Sequence, residues 1–491
     1  MYPSTVPPLL WSSFLLFWLI SGSIFTFWCW FFNVSFPWNL ISIRDVHDLT
    51  QWLLIALTAL FTWSYFGLYC TINLVYKTFT ATTITSHLAP SILTPLTGLI
   101  NLYTFPFLFI FLLITSLSLV FCLTYNRAES SAFYSYVGVI FFAGFFFFSS
   151  SSLITFFLAY EMFLIPSFLI LYKFAKTRRA IEAAYLMFFW TQFGAMFLIM
   201  SFLYVFLTTN STSWDLIRNY HFTNFECSFL MTCWLIGFGV KLPLWPFYGW
   251  LPKAHVEAST NFSIFLSGVL VKFAFFGLLR CLMTLNLDPS WPFIVPFLAM
   301  GLIEASFKLF IQIDLKKLVA YATVIEMHWL TICVVTGSSP IILAGFAMLI
   351  NHALLSSNAF LLVDAINRRF KTRLITELSG LNLLCPKLFI LSFINCLLFL
   401  GFPGSLTFVS EVLFFTFLID LFPVMALLLI LFLYVLAPSF FFRSWFNLMF
   451  GMSHFFSKAG PLDLTLREFI SISSLELLIY YLGISWQTLL V

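Results

Sequence analysis

Seven charged side chains interrupt the long apolar stretches of this sequence. They are Glu161, Lys241, Lys272, Glu304, Lys308, Glu326 and Glu411. One charged residue at the centre of a membrane helix costs ~2.5–3.5 kcal/mol to insert, so each of them needs a partner or a function. Protons cross a low-dielectric interior by passing between groups whose proton affinity changes, as Lys and Glu side chains can. His328 and His352 can take part, because imidazole titrates near neutrality.

A structural role is the alternative for each of these charges. Glu304 and Lys308 lie one turn apart on one predicted helix, and we interpret them as an ion pair. Lys241 and Lys272 have no acidic neighbour on their own helix face, so we expect their partners on other helices. A membrane histidine is more often a hydrogen-bonded core residue, but the Asn and Ser residues in 351–357 favour a hydrated path around His352.

The elements that hold these residues are membrane helices. Of the 491 residues, 62% are hydrophobic and 9% charged, whereas soluble domains contain ~25% charged residues. Many apolar stretches exceed the ~20 residues that cross a bilayer. We therefore predict an all-α polytopic membrane protein. Its transmembrane helices, about fourteen in number, lie near residues 9–32, 51–76, 104–125, 131–149, 152–172, 182–208, 229–250, 261–283, 291–312, 317–337, 340–363, 387–419, 423–441 and 470–489.

The basic residues support this count. If the spans alternate in direction, the loops after odd-numbered spans hold seventeen of the 23 Lys and Arg residues and the opposite loops hold three. Such an asymmetry marks the matrix or cytoplasmic side, so we expect both termini on the other side. The same distribution argues against a nucleic-acid partner, because the basic residues sit in short loops.

The sequence predicts no metal site and no cofactor site in this chain. The nine cysteines are scattered without metal-ligand spacing. Gly237-Phe238-Gly239 is not a phosphate-binding loop, because it lacks the third glycine and the Lys-Ser/Thr pair that would follow. We also find no paired histidines for haem, and the polar stretches near 77–103 and 442–469 are only loop-sized.

Two predicted spans are interrupted at their centres. The seventh contains Pro243, Pro246 and Pro252, and the twelfth contains the sequence Gly-Phe-Pro-Gly at 401–404. Broken helices at matching places in two halves are typical of transporter repeats. Glu161 precedes Lys241 by 80 positions, and Glu326 precedes Glu411 by 85, so the halves match in order and roughly in spacing.

Residues 240–258, VKLPLWPFYGWLPKAHVEA, resemble the signature of the antiporter-like membrane subunits of NADH:ubiquinone oxidoreductase, respiratory complex I. The ending LPKAHVEA is similar to the subunit-4 branch of that family. Three more stretches agree with the resemblance. They are YEMFLIP at 160–166, QIDLKKLVAY at 312–321, and GFPG at 401–404 followed by Glu411.

The resemblance implies two inverted five-helix repeats with broken helices 7 and 12. Residues 1–130 would form helices 1–3, residues 131–285 the first repeat, residues 286–441 the second, and residues 442–491 a loop and helix 14. The implied function is proton translocation coupled to quinone reduction elsewhere in the enzyme. NADH, FMN, iron–sulfur clusters and ubiquinone would belong to other subunits.

The resemblance also assigns roles to single residues. Glu161 pairs with Lys241, Lys272 is the central lysine, His352 is the helix 11 histidine, and Glu411 is the exit-side carboxylate. The implied partners are other membrane-arm subunits, especially the antiporter-like subunits 2 and 5, together with lipids. The implied location is the mitochondrial inner membrane, or alternatively a bacterial plasma membrane. A monovalent cation/proton antiporter complex is the alternative function.

The sequence departs from the family in helix 10. Glu326 stands at the family's histidine position, and His328 follows two residues later. Glu304 and Lys308 are also unexpected for helix 9. We expect Lys308 to neutralise Glu326 across helices 9 and 10, and we include Glu326, His328 and Lys308 among the relay candidates.

Overall fold

A computed structural model describes residues 104–122, 127–175, 177–284, 294–336, 339–451 and 463–486. These residues belong to the second of two units in the chain, Leu102–Val491. The predicted spans 9–32 and 51–76 lie outside the described residues. The described part consists of helices and connecting turns, with two isolated β-bridges and no β-strand. The predicted all-α fold is confirmed.

The helices of the first half surround the first interrupted span. They are α1 (Phe105–Cys122), α2 (Arg127–Ser149), α3 (Leu153–Met162), α4 (Leu164–Lys173), α5 (Arg178–Thr209), α6 (Trp214–Arg218), α7 (Asn224–Lys241), α8 (Trp250–Glu257), α9 (Thr260–Phe265) and α10 (Val271–Thr284). A single π-helical turn, Leu266–Leu270, joins α9 to α10, and a 3₁₀ turn, Phe247–Gly249, precedes α8.

The second half of the described unit contains the second interrupted span. Its helices are α11 (Ile294–Phe310), α12 (Leu315–Val335), α13 (Ser339–Phe370), α14 (Leu381–Leu384), α15 (Pro386–Phe399), α16 (Leu406–Leu421), α17 (Pro423–Ile430), α18 (Ala437–Met449) and α19 (Leu466–Ile484). A π-helical stretch, Leu431–Leu436, again follows the interrupted span, and a 3₁₀ turn, Ile375–Glu377, precedes α14. The repeat boundaries at 131–285 and 286–441 stay a prediction.

Both predicted interruptions are present, and different residues produce them. Helix α7 ends at Lys241 because Pro243 and Pro246 have no N–H to continue its hydrogen bonds. In the twelfth span, Gly401 and Gly404 adopt φ of +67° and +92°, which favour glycine. Ser405 then caps α16 by accepting a hydrogen bond from the Phe408 N–H.

Two predicted boundaries were wrong. The span predicted to end at 441 continues to Met449. It continues because Phe441, Trp445 and Leu448 lie on one helix face, where they are buried. Residues 442–449 are therefore helix and not part of a polar loop. Lys316, which the loop count assigned to a connection, lies in the first turn of α12 and is buried.

The core of the described unit lies around three spans. Within an apolar 18-residue window of each span, buried residues make up 94% in Thr260–Met283 and in Ile341–Phe370 and 89% in Leu315–Val335, against 33% in Arg178–Thr209. Helix α13 packs against α1, α9, α12, α16 and α19. Lys272, Glu326 and His352 all belong to these three spans, so the central charges lie among protein and not lipid.

Gly483 of α19 touches the interruption in the twelfth span. A Cβ atom at this position would collide with the backbone of Gly404 and Ser405, which cannot move aside as a flexible side chain can. By contrast, a Cβ atom at Gly138 of α2 would meet no atom within 4 Å. Close approach of α19 to the break therefore depends on the missing side chain.

We predict that Gly483→Ala lowers thermal stability of the membrane complex by about 1–3 kcal/mol, the usual cost of overpacking a filled site. Gly138→Ala is the matched control and should be neutral or slightly stabilising, because alanine favours helix more than glycine. The measurement is the amount of assembled complex after heating, by native gel. Equal loss in both variants would contradict the close contact.

Candidate functional site

Glu161 and Lys241 form an ion pair between α3 and α7, with Lys241 Nζ 3.2 Å from Glu161 Oε1. The ammonium also lies 3.6 Å from the centroid of the Tyr160 ring, and Gln192 Nε2 donates to Glu161 Oε2 at 3.4 Å. Lys241 is the last residue of α7, where the helix dipole favours a positive charge. The predicted pair is confirmed, and it sits at the first helix break.

A cavity of about 30 Å³ lies beside this pair. Lys241, Ser167 and Thr191 provide polar groups to it, and Leu270 and Val271 line it immediately before Lys272. A volume above ~10–15 Å³ with polar walls can hold a water molecule. The cavity can therefore place water between the ion pair and the helix of the central lysine.

Lys272 is the first charged residue after the π-helical turn. Its side chain is 3% exposed, and its ammonium donates to the backbone carbonyl of Ser267 within that turn. The Ser267 hydroxyl is 3.3 Å from the Ser356 hydroxyl on α13. A π-helical turn changes the backbone hydrogen-bond pattern and often marks a functional position. Here the carbonyl of Ser267 helps to hold a buried ammonium.

Glu326 and His352 are in direct contact between α12 and α13, through the carboxylate and the ring nitrogen Nδ1. His352 Nε2 is buried and has no hydrogen-bond partner among the described residues. Glu326 and Lys272 interact electrostatically. The structure therefore gathers Lys272, Glu326 and His352 around the centre of the described unit.

The structure contradicts the expected neutralisation of Glu326 by Lys308. Lys308 Nζ instead lies 2.5 Å from Glu304 Oε1 and 2.6 Å from the Tyr248 hydroxyl. The expectation failed because Glu304 lies one turn from Lys308 on α11, whereas Glu326 points towards His352 on α13. The interpretation of Glu304 and Lys308 as an ion pair is confirmed.

His328 lies near that pair and not at the central charges. Its Nδ1–H donates to the Val324 carbonyl at 2.8 Å, so Nε2 is free to accept the Trp245 N–H, also at 2.8 Å. Both ring nitrogens are thus bonded to backbone, in a neutral tautomer. His328 supplies the hydrogen-bond acceptor that the broken backbone after Pro243 lacks. This is the hydrogen-bonded core role that the sequence analysis gave as the more frequent one for a membrane histidine, and the relay role of His328 stays a prediction.

Glu411 lies over the second helix break. Its carboxylate occupies the space that a side chain at Gly401 would fill. Along α16, Thr407 donates to Asn351 Oδ1 on α13 at 3.1 Å, which connects this helix to the residue before His352. Glu411 therefore shares the break with a polar contact that leads towards the central histidine.

The sequence analysis missed three buried ionisable side chains. His255 stacks on Phe360, with both ring nitrogens buried and without hydrogen-bond partners in the described part of the chain. Lys316 Nζ donates to the Ala258 carbonyl at 2.5 Å. Glu476 is 3% exposed. Apolar spacing could have indicated Glu476, because it occupies the same stripe of α19 as the buried Ile472 and Ile479.

The described ranges contain no cluster of three or more His, Cys, Asp or Glu residues that could bind a metal ion. The site residues are instead arranged in a row of proton-binding groups. The row runs from Glu161 and Lys241, past the cavity, to Lys272, Glu326 and His352, with Glu411 beyond. Such a row can move protons stepwise when local charges shift.

Comparisons with known proteins identify the family of the chain. The family described as NADH:quinone oxidoreductase/Mrp antiporter, TM, matches residues 150–437. NADH-ubiquinone oxidoreductase chain 4 of Paramecium tetraurelia is 34% identical over 318 residues, which are 64% of this chain and 67% of that protein. NADH-quinone oxidoreductase subunit M of Rickettsia bellii is 30% identical over 347 residues, 69% of each chain.

Solved structures share the fold at low sequence identity. A chain of the Mrp complex from a Dietzia species aligns with a TM-score of 0.73 and 16% identity, covering 91% of this chain and 94% of that one. A chain of respiratory complex I from Thermus thermophilus aligns with a TM-score of 0.68 and 20% identity, covering 79% and 85%. These similarities concern the helical architecture.

We predict that Lys308→Met lowers assembly of the complex, because it leaves the Glu304 carboxylate within the membrane without its cation. Lys308→Arg should assemble better than Lys308→Met, and the double change Glu304→Gln with Lys308→Met should recover much of the loss. Native-gel quantification measures all three, with Lys253→Met as an exposed control. Equal loss in the single and double variants would exclude the ion pair as the cause.

Proposed function

Because the chain belongs to the NADH:quinone oxidoreductase/Mrp antiporter transmembrane family, we propose that its buried charges relay protons across the membrane. The enzyme we infer is the proton-translocating NADH:ubiquinone oxidoreductase, whose chain 4 and subunit M are the relatives reported above. The observation that supports the relay most strongly is the placement of Lys272, Glu326 and His352 in the three most buried spans.

The proposed cycle begins at the ion pair of Glu161 and Lys241. Two unit charges ~4 Å apart interact by ~4 kcal/mol at an effective dielectric of ~20. Separation of the pair would therefore change the proton affinity of neighbouring groups by more than about tenfold. Leu270 and Val271, which line the cavity, directly precede Lys272. The N–H bond of its ammonium breaks as an O–H bond forms on the Glu326 carboxylate, and the proton then passes through the His352 contact towards Glu411. A proton carried by water on the cavity side restores the Lys272 ammonium.

The redox chemistry would take place in other subunits. The sequence offers no phosphate-binding loop and no haem ligand pair, so we propose that NADH, FMN, the iron–sulfur clusters and ubiquinone bind elsewhere in the enzyme. In this chain, the residues would bind, hold and transfer protons only.

The outer face of the described unit suits a membrane complex. Helix α5 is the least buried long helix, and Phe189, Met196 and Leu207 on it are 66–72% exposed. Such apolar surface fits lipid tails or another subunit. We propose that antiporter-like subunits 2 and 5 are neighbours, together with lipids, and that the complex lies in the mitochondrial inner membrane, in keeping with the eukaryotic chain 4 relatives.

A subunit of a monovalent cation/proton antiporter is the second candidate, because the fold also aligns with a chain of an Mrp complex. The names of the curated relatives favour the first candidate. Copurification distinguishes the two. The first predicts quinone reductase subunits with this chain, and the second predicts sodium-dependent proton exchange by a complex that lacks them.

We predict that Lys272→Met abolishes most NADH-driven proton uptake in vesicles while the complex still assembles, because the central proton-binding group is lost. A positioned proton-transfer group contributes ~10²–10⁴ in rate, so the loss should reach at least about tenfold. Lys253→Met, an exposed change on α8, is the matched control. An assembled Lys272→Met complex that pumps at the wild-type rate would refute the relay. If Lys272→Arg pumps normally while Lys272→Met does not, a structural role is favoured, in which the charges only hold the helices together.

A further inference from the structure

A buried acidic site lies between α13, α15 and α19, outside the row of groups used above. We propose that Glu476 is a further proton-binding residue, which takes up protons from one side of the membrane and supplies them to the second helix break. That side is the one whose loops hold most of the Lys and Arg residues, and we call it the basic face. This inference rests on the proposed function. We call Glu476, Asn358 and Asn395 the C-terminal helix site.

The carboxyl group of Glu476 is buried with a neutral partner. It is 3% exposed, and it accepts one hydrogen bond, at 3.0 Å, from Asn358 Nδ2 on α13. No Lys, Arg or His of the described ranges lies within ion-pair distance of it. A carboxyl group in such surroundings can hold a proton and release it when a positive charge or water approaches. A structural residue at this place would need no ionisable group.

Buried amide atoms without hydrogen-bond partners lie on α13 and α15, which both pack against α19. Asn358 Oδ1 and both amide atoms of Asn395 are buried without hydrogen-bond partners in the part of the chain that the structure describes. Asn395 precedes Cys396, which interacts electrostatically with Glu476. Buried polar groups are normally satisfied by protein or by ordered water. The pair of amides therefore marks a place where water and a transferable proton would be stabilised.

The position of Glu476 along α19 gives the direction of transfer. At the basic face, Glu468 pairs with Arg369 at 2.5 Å. Glu476 lies eight residues further, or ~12 Å along a helix, and Gly483 lies ~10 Å beyond it against the second break. Gly483 and Glu476 are seven residues apart, so they share one face of α19. Glu476 is thus midway between the basic face and the break below Glu411.

Helix α13 carries a second pair of residues with this spacing. Asn351 and Asn358 are seven residues apart and share a face. Asn351 accepts from Thr407 at the break, while Asn358 donates to Glu476.

In each transfer, an O–H bond of the Glu476 acid breaks and water conveys the proton to the Glu411 carboxylate. The Glu476 carboxylate is then reprotonated from the aqueous phase at the basic face.

The test compares Glu476→Gln with wild type in the purified membrane complex. Glutamine keeps an acceptor for Asn358 but binds no transferable proton. We expect normal assembly and a fall of about tenfold or more in proton uptake, the scale for loss of a positioned proton-transfer group. Infrared difference spectra should also lose one carboxylic acid carbonyl band. Glu182→Gln, on the exposed start of α5, is the matched control.

Each result has a defined meaning. Wild-type uptake and an unchanged infrared spectrum in Glu476→Gln overturn the inference, and if Lys272→Met is still defective the proposed function stands without it. Wild-type uptake in both variants overturns the proposed function itself. If Glu476→Gln fails to assemble, Asn358→Leu replaces it. Slower uptake in that variant supports the site, and wild-type uptake overturns it.

Discussion

A charge inside a helical membrane bundle must find its compensation within the bundle, because lipid tails offer neither counter-charge nor hydrogen bonds. The arrangement of this protein follows from that constraint. Lys241 contacts Glu161, Lys308 contacts Glu304, and Glu326 contacts His352. Lys272 differs, since its contact is a backbone carbonyl and the acid that acts on it lies further away.

The two helix breaks are produced by different residues, and their freed backbone groups and space are used differently. Prolines interrupt the seventh span, and the freed Trp245 N–H is satisfied by the His328 ring. Glycines interrupt the twelfth span, and the Glu411 carboxylate occupies the space beside Gly401. Helix α19 approaches the same break because Gly483 has no side chain. Pro243 and Leu244 of the first break are buried, whereas Phe402 and Pro403 of the second are exposed on the described unit.

The sequence predicted the helical class and both breaks, because apolar length, proline and glycine are local signals. The pair of Glu161 and Lys241 was implied by the family resemblance, since charge alone indicated only that the partner of Lys241 lies on another helix. The sequence analysis predicted that Lys308 pairs with Glu304 and also that Lys308 neutralises Glu326, and only the first contact is present. The second was wrong because it depended on how α11 and α12 are rotated about their axes. The sequence analysis also missed Glu476 and Lys316. Lys316 is buried by packing against α8, which a charged residue at the end of a predicted span does not reveal. Glu476 lies in mid-helix, where the spacing of Ile472 and Ile479 did indicate a buried position.

The π-helical turn before Lys272 places one extra residue in a helix that is otherwise regular. Each residue of an α-helix turns the chain by ~100°, so this insertion sets the angular phase of everything that follows it. The number of residues in 266–270 therefore sets the direction in which the Lys272 side chain points. A deletion of one residue there would leave composition and hydropathy almost unchanged, yet it would turn the central cation away from Glu326.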